Sequence, residues 1–129
     1  MPTFQWKSLT VSVALAFAAL AAGAANAQQQ SASEAREQIE TRIMARLKLA
    51  SEYYSRNQIG AALRELMSAQ DISSDYAPLQ NMLGVVNMDL RRYDEAEKAY
   101  QRALKLERDN PDIHNNYGWF LCVSGQHAK

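Results

Sequence analysis

A chain of 129 residues carrying 14 basic and 14 acidic side chains has room for one domain and no charge imbalance to attract a polyanion. Nucleic acid is therefore excluded as an expected partner. Only five glycines and three prolines argue for helices joined by short turns rather than for many strands.

The chain opens with Lys7 ahead of an apolar, alanine-rich run, Val11 to Ala22, followed by Ala25-Asn26-Ala27. A basic start, an apolar run well short of the roughly 20 residues a membrane span needs, and small residues at a cleavage site predict a secretory signal over 1–27, with Gln28 starting the mature chain. An uncleaved N-terminal anchor is the alternative. Loss of Lys7 leaves 13 basic and 14 acidic groups, a formal charge of −1. An exported chain works where disulfides can form, yet Cys122 is its one cysteine. Cys122 is expected to be a small buried hydrophobe, or else to pair with another chain.

Residues 28–32 are predicted to form a flexible mature N-terminus. Ser31 and Glu34 have capping-box spacing, so the first helix is expected to start near Ser33 and to run to about Arg56. From there the sequence repeats. Leu49-Ala50, Leu83-Gly84 and Tyr117-Gly118 are spaced 34 apart, each a large apolar residue followed by a tiny one. Ala62 and Ala96, Leu66 and Tyr100, and Ala69 and Ala103 keep the same interval. This is the period and pattern of the tetratricopeptide repeat (TPR), two antiparallel helices A and B that cross closely enough to need a missing side chain. The predicted fold is all-α, a right-handed TPR helical-hairpin solenoid of about two and a half repeats. It fills 33–129, with repeats at 43–76, 77–110 and, in part, 111–129. Leu49, Tyr53, Leu83, Leu121, Leu66 and Tyr100 are expected to pack around the crossings. Asn57 and Arg91 fall at the A–B turns, where Asn tolerates a left-handed conformation and Arg departs from the usual glycine. Asn110-Pro111-Asp112 reads as a helix start, with a cap, a proline at the first helical position and an acid at the positive end.

The last apolar segment, Asn115-Asn116-Tyr117-Gly118-Trp119-Phe120-Leu121-Cys122, has large side chains all the way round a helix. As helix A of a third repeat it packs on more than one side. Phe120 is expected between repeats, while Trp119 and Cys122 face the groove. Gly125 falls at the next A–B turn, so no helix B follows. The chain is read as part of a longer array, or as one whose open face another chain covers.

Catalytic chemistry has no foothold in the pattern. There is no glycine-rich phosphate loop, G-x-S-x-G elbow or H-E-x-x-H helix, and His114 and His127 stand apart from any ligand cluster. A non-enzyme without metal or cofactor is expected. Asp94, Glu95 and Glu97 read as the solvated, dipole-favourable start of a helix, with Asp94–Lys98 as an i,i+4 pair. The A-helix register puts Leu47, Tyr54, Asn81, Val85, Met88, Asn115 and Trp119 on an inner, partner-binding face. The same residues could instead be core, buried by neighbouring repeats. The face is apolar and carries no Lys or Arg at these positions, which favours an amphipathic helix or apolar segment as ligand.

The segment 115–122 with Gly125, together with Tyr76–Val86 and Ala50–Ala69, resembles the type IV pilus biogenesis/stability TPR proteins, the PilF/PilW pilotins. The resemblance spans roughly residues 39–129. It implies a periplasmic, all-helical, non-catalytic protein that assists localisation and assembly of the outer-membrane secretin, with about twice as many repeats. It also implies a lipid anchor at a cysteine after the signal. Here Leu20-Ala21-Ala22-Gly23 is followed by Ala24, so contact with the membrane is expected to be indirect, through the partner. Self-association through the exposed third-repeat helix is a further expectation. The alternative function is a periplasmic TPR chaperone or scaffold of another envelope pathway, such as cytochrome c maturation.

Overall fold

The computed structural model describes residues 7–125, with side chains from residue 20 onward. The elements are α1 (Lys7–Ser55), α2 (Ile59–Ile72), α3 (Ala77–Asp89), α4 (Tyr93–Leu106) and α5 (Pro111–Val123), with no strand among the described residues. The chain divides into two compact units, Met1–Gln38 and Ile39–Lys129.

In the first unit the described residues are all helical, and side chains 20–38 are exposed. The helix does not begin near Ser33, and residues 28–32 are helical rather than loose. Ser31 and Ser33 do not cap: their hydroxyls donate backwards to the carbonyls of Gln28 (2.9 Å) and Gln30 (2.8 Å). Such back-bonding replaces the forward bond a capping serine would accept when the chain upstream is already helical. No helix among the described residues is long and apolar enough to cross a membrane.

The second unit contains the 34-residue hairpins. The C-terminal part of α1 pairs with α2, α3 with α4, and α5 packs on both α3 and α4. Ala50, Ala62, Leu66 and Ala69 are fully buried in the first hairpin, and Ala96, Tyr100 and Ala103 in the second. Small residues let the rods approach, and the larger ones fill what remains. At Gly84 the approach is closest. A Cβ there would lie 2.6 Å from Tyr100 Cε1, so only glycine fits beneath that ring. Tyr100 in turn meets Tyr117 and Phe120 of α5, both at 5.6 Å between ring centroids, and Tyr117 stacks on Phe120 at 5.9 Å. Aromatic pairs of this kind add about 0.5–1.5 kcal/mol each beyond the area they bury. Phe120 thus holds the third repeat to the second, as expected, and Ala77, Ala103 and Ile113 close the other end of the same seam.

Each hairpin turn is built alike. Asn57 N donates to Tyr54 O and Gln58 N to Tyr53 O, each at 2.9 Å. One repeat on, Arg91 N donates to Met88 O and Arg92 N to Asn87 O at the same distances. This double closure needs a left-handed residue. Asn57 (φ 59°) and Arg91 (φ 58°) supply it, and Gly125 (φ 72°) takes the same conformation a further 34 residues on. At the start of α5, Asn110 caps as expected, its side chain accepting from the amides of Asp112 and Ile113, with Pro111 following.

Two expectations change. Leu49 is 41% exposed although Leu83, one repeat later, is buried. The first hairpin covers Leu83, and no earlier hairpin within this unit covers Leu49. Asp94 and Lys98 form no ion pair; the acids of the first turn of α4 remain, and Arg46–Glu65 and Arg102–Asp75 are paired instead. Asn87 is buried, and its amide is satisfied by donating to Leu83 O at 2.9 Å.

Arg91 holds its left-handed turn against the steric cost of a Cβ, while its side chain lies exposed. Arg91→Gly is therefore expected to raise stability by about 0.5–1 kcal/mol. The check is urea unfolding, with a higher midpoint at unchanged slope.

Candidate partner-binding surface

The A helices α1, α3 and α5 lie side by side, and their seams carry the surface. On the α1–α3 seam, Met44, Leu47 and Ser51 face Tyr76, Pro78 and Met82 across an open pocket of ≈ 650 Å³. Tyr76 Oη donates to Met44 Sδ at 3.0 Å across its rim. Pro78 sits in the first turn of α3, where a missing N–H costs nothing, so the sequence can place an apolar ring at the pocket edge. Two methionines in the wall give it a surface that can adapt to different apolar ligand groups. Lys48 also lines the pocket and makes no ion pair with any described residue, so the face is not free of cations.

Farther along the same seam Tyr54 Oη donates to Asp89 Oδ2 at 2.6 Å. Burial, then this hydrogen bond, then the Asp89 charge push the Tyr54 phenol up to about 12. Tyr76 is raised too, by burial first and then by the charges of Glu40 and Glu107. Tyr100 lies deeper. Burial, with smaller effects of Tyr54 and Asp89, moves its phenol well above the usual range, and its hydroxyl has no hydrogen-bond partner. On the α3–α5 seam, Asn116 Nδ2 donates to Asn81 Oδ1 at 3.2 Å.

The seven candidate residues therefore fall in different settings. Leu47 lines the pocket, Tyr54 is latched to Asp89, and Asn81 is bonded across the second seam. Val85 and Met88 are half-buried against Ala96, Tyr100 and Phe120, so they serve the core between repeats. Asn115 is exposed, as is Trp119 at 64%. Cys122 is exposed rather than buried, because the face it shares with Trp119 has no further helix against it among the described residues. The register reasoning missed Tyr76, Pro78, Met82 and Lys48. Pro78 at the start of α3 was the available signal, since the residues around a helix entry lean on the neighbouring A helix.

A second depression, of ≈ 670 Å³, opens on the α4 side of α3. Several of its polar groups are engaged in the fold: Gln80 Nε2 donates to Ser74 O, Asn87 Nδ2 to Leu83 O, and Arg102 pairs with Asp75. No group of three or more His, Cys, Asp or Glu residues able to hold a metal lies among the described residues.

Comparison with known proteins places this geometry. Residues 77–110 and 99–129 match two tetratricopeptide-repeat family models. The chain is 38% identical over 79 residues to superkiller complex protein 3 of Homo sapiens, across 57% of this chain and 5% of that protein. It is 31% identical over 93 residues to an uncharacterized protein of Haemophilus influenzae, across 72% of this chain and 51% of that protein. The chain thus spans about half, or much less, of the length of these curated relatives. No solved structure matches. The architecture is an all-α TPR helical solenoid, and its repeats make it a protein–protein interaction module.

The Tyr54 phenol ties the seam to pH. Its folded value of about 12 exceeds the unfolded value near 10. Its contribution is whole below pH 10 and is lost as pH rises toward 12. Tyr54→Phe is expected to flatten the fall in stability between pH 10 and 12, read by urea unfolding at pH 9 and pH 11.

Proposed function

We propose that this TPR module is an exported, non-catalytic factor of type IV pilus biogenesis that grips an apolar helical segment of the outer-membrane secretin and assists its localisation and assembly. The pocket between α1 and α3, walled by Met44, Leu47, Tyr76, Pro78 and Met82, carries the binding part of the proposal. It is concave, apolar and on the A-helix face, and an amphipathic helix laid along such a seam would bury one or two large side chains there. Lys48 in the wall would pair with an acidic residue beside the buried one. The assignment to the pilus pathway and to the periplasm is supported by the segment 115–122 and by the signal-like start 1–27.

Met44 is 52% exposed, so Met44→Glu should leave the fold intact while placing a charge at the pocket rim. In a pull-down from envelope extract the wild-type chain is expected to recover the secretin, and Met44→Glu at least tenfold less, about 1.4 kcal/mol. Recovery of an apocytochrome in place of the secretin would keep the module and remove the pilus assignment. Equal recovery by the variant would remove the pocket.

A further inference from the structure

A thioether and a phenol meet at the rim of the α1–α3 pocket. Tyr76 Oη donates to Met44 Sδ at 3.0 Å, and Met44 is 52% exposed. The phenol occupies one lone pair of the sulfur, and exposure leaves the other open to solvent. The Tyr76 ring packs against the main core cluster, which holds its hydroxyl in place. Met67 on α2 is the internal comparison. It is 55% exposed, and no hydroxyl among the described residues bonds its sulfur. Met82 and Met88 are half-buried. Exposure is thus matched between Met44 and Met67, while the local chemistry differs.

We infer that Met44 is a modification site, oxidised to its sulfoxide by hydrogen peroxide in preference to Met67, Met82 and Met88, with Tyr76 directing the reaction. The sulfur attacks one peroxide oxygen; an S–O bond forms as the O–O bond breaks. The transferred oxygen gives its proton to the departing one, which leaves as water. Sulfur loses an electron pair and the peroxide gains it. Negative charge grows on the departing oxygen, and the neighbouring hydroxyl can turn its hydrogen toward it. Afterwards the same hydroxyl can donate to the sulfoxide oxygen, since a thioether is only a weak acceptor. Because the phenol starts on one lone pair, oxygen adds at the other, and one sulfoxide epimer is favoured. The product changes the pocket. Met44, Leu47, Pro78 and Met82 wall it with apolar surface. A sulfoxide dipole there loses its water when an apolar side chain is seated over it, so oxidation turns such ligands away. That last effect rests on the pocket being the partner site; the modification does not.

The test treats the full chain with dilute hydrogen peroxide at neutral pH and follows each methionine by peptide mass spectrometry. Met44 sulfoxide is expected to form at least threefold faster than Met67 sulfoxide, with Met82 and Met88 behind both. Epimer-specific sulfoxide reductases should find one Met44 epimer in at least threefold excess and the two Met67 epimers nearly equal. Tyr76→Phe, which keeps the ring, should bring the Met44 rate down to that of Met67 and even out its epimers. Equal rates at Met44 and Met67 in the wild type, or equal Met44 epimers, would overturn the proposal whether or not the variant folds. A folded Tyr76→Phe chain with the wild-type rates would overturn it too. In the envelope pull-down, the oxidised chain is expected to recover at least tenfold less secretin than the untreated one, and Met44→Leu to show no response to peroxide. Recovery unchanged by oxidation would overturn the effect on the pocket. Failure of the untreated chain to recover any secretin would count against the pilus assignment instead, and the rates and epimers would still decide the modification.

Discussion

Tyr100 lies with its ring where a side chain on Gly84 would begin, and the rest of the second unit is arranged around that approach. The missing Cβ brings α3 and α4 close enough for Ala96 and Ala103 to be fully buried. The other edge of the ring receives Tyr117 and Phe120, which fixes α5. One close crossing therefore orders the hairpin and also sets where the next A helix lies. Dense packing makes such a point sensitive to a single methyl group, because neighbouring side chains have little free space into which to yield. The Tyr100 hydroxyl, buried without a partner, is a cost the ring incurs in reaching that place.

The repeats solve the same problem with different pairs. Ala50 with Leu66 and Gly84 with Tyr100 both fill the crossing, so the total volume is kept while its division changes. The turns vary in the same way. Asn, Arg and Gly hold one left-handed position at steadily lower steric cost from Arg to Asn to Gly, and the backbone closure around Asn57 and Arg91 is identical. Fixed hairpins in turn line up the A helices, whose seams form an apolar pocket at one end and a Tyr54–Asp89 latch toward the other.

What the sequence made legible is what recurs every 34 residues: the crossing residues at 50, 84, 62 and 96, the fillers at 66 and 100, and the turns at 57 and 91. These are contacts inside one hairpin, and local spacing determines them. Exposure at the ends was less legible, because it depends on whether a neighbour exists. Leu49 and Leu83 share a register position and differ in burial for that reason, and Cys122 is exposed because no described helix lies against it. The candidate surface was legible only in part. Leu47 and Tyr54 fall on the α1–α3 seam, but Val85 and Met88 turn toward Phe120. Helical periodicity gives the side of α3 they occupy, and the aromatic cluster of α4 and α5 decides how much of that side is covered.

Transplanting the first repeat's pair into the second tests the close crossing most directly. Gly84→Ala should destabilise the chain by about 1–2 kcal/mol, since a methyl group must displace a packed ring. Adding Tyr100→Leu recreates the Ala50–Leu66 arrangement, and a double-mutant cycle by urea unfolding measures the coupling. The account predicts that Gly84→Ala costs at least about 1 kcal/mol less in the Tyr100→Leu background than in the wild type. Additive effects of the two substitutions would contradict it.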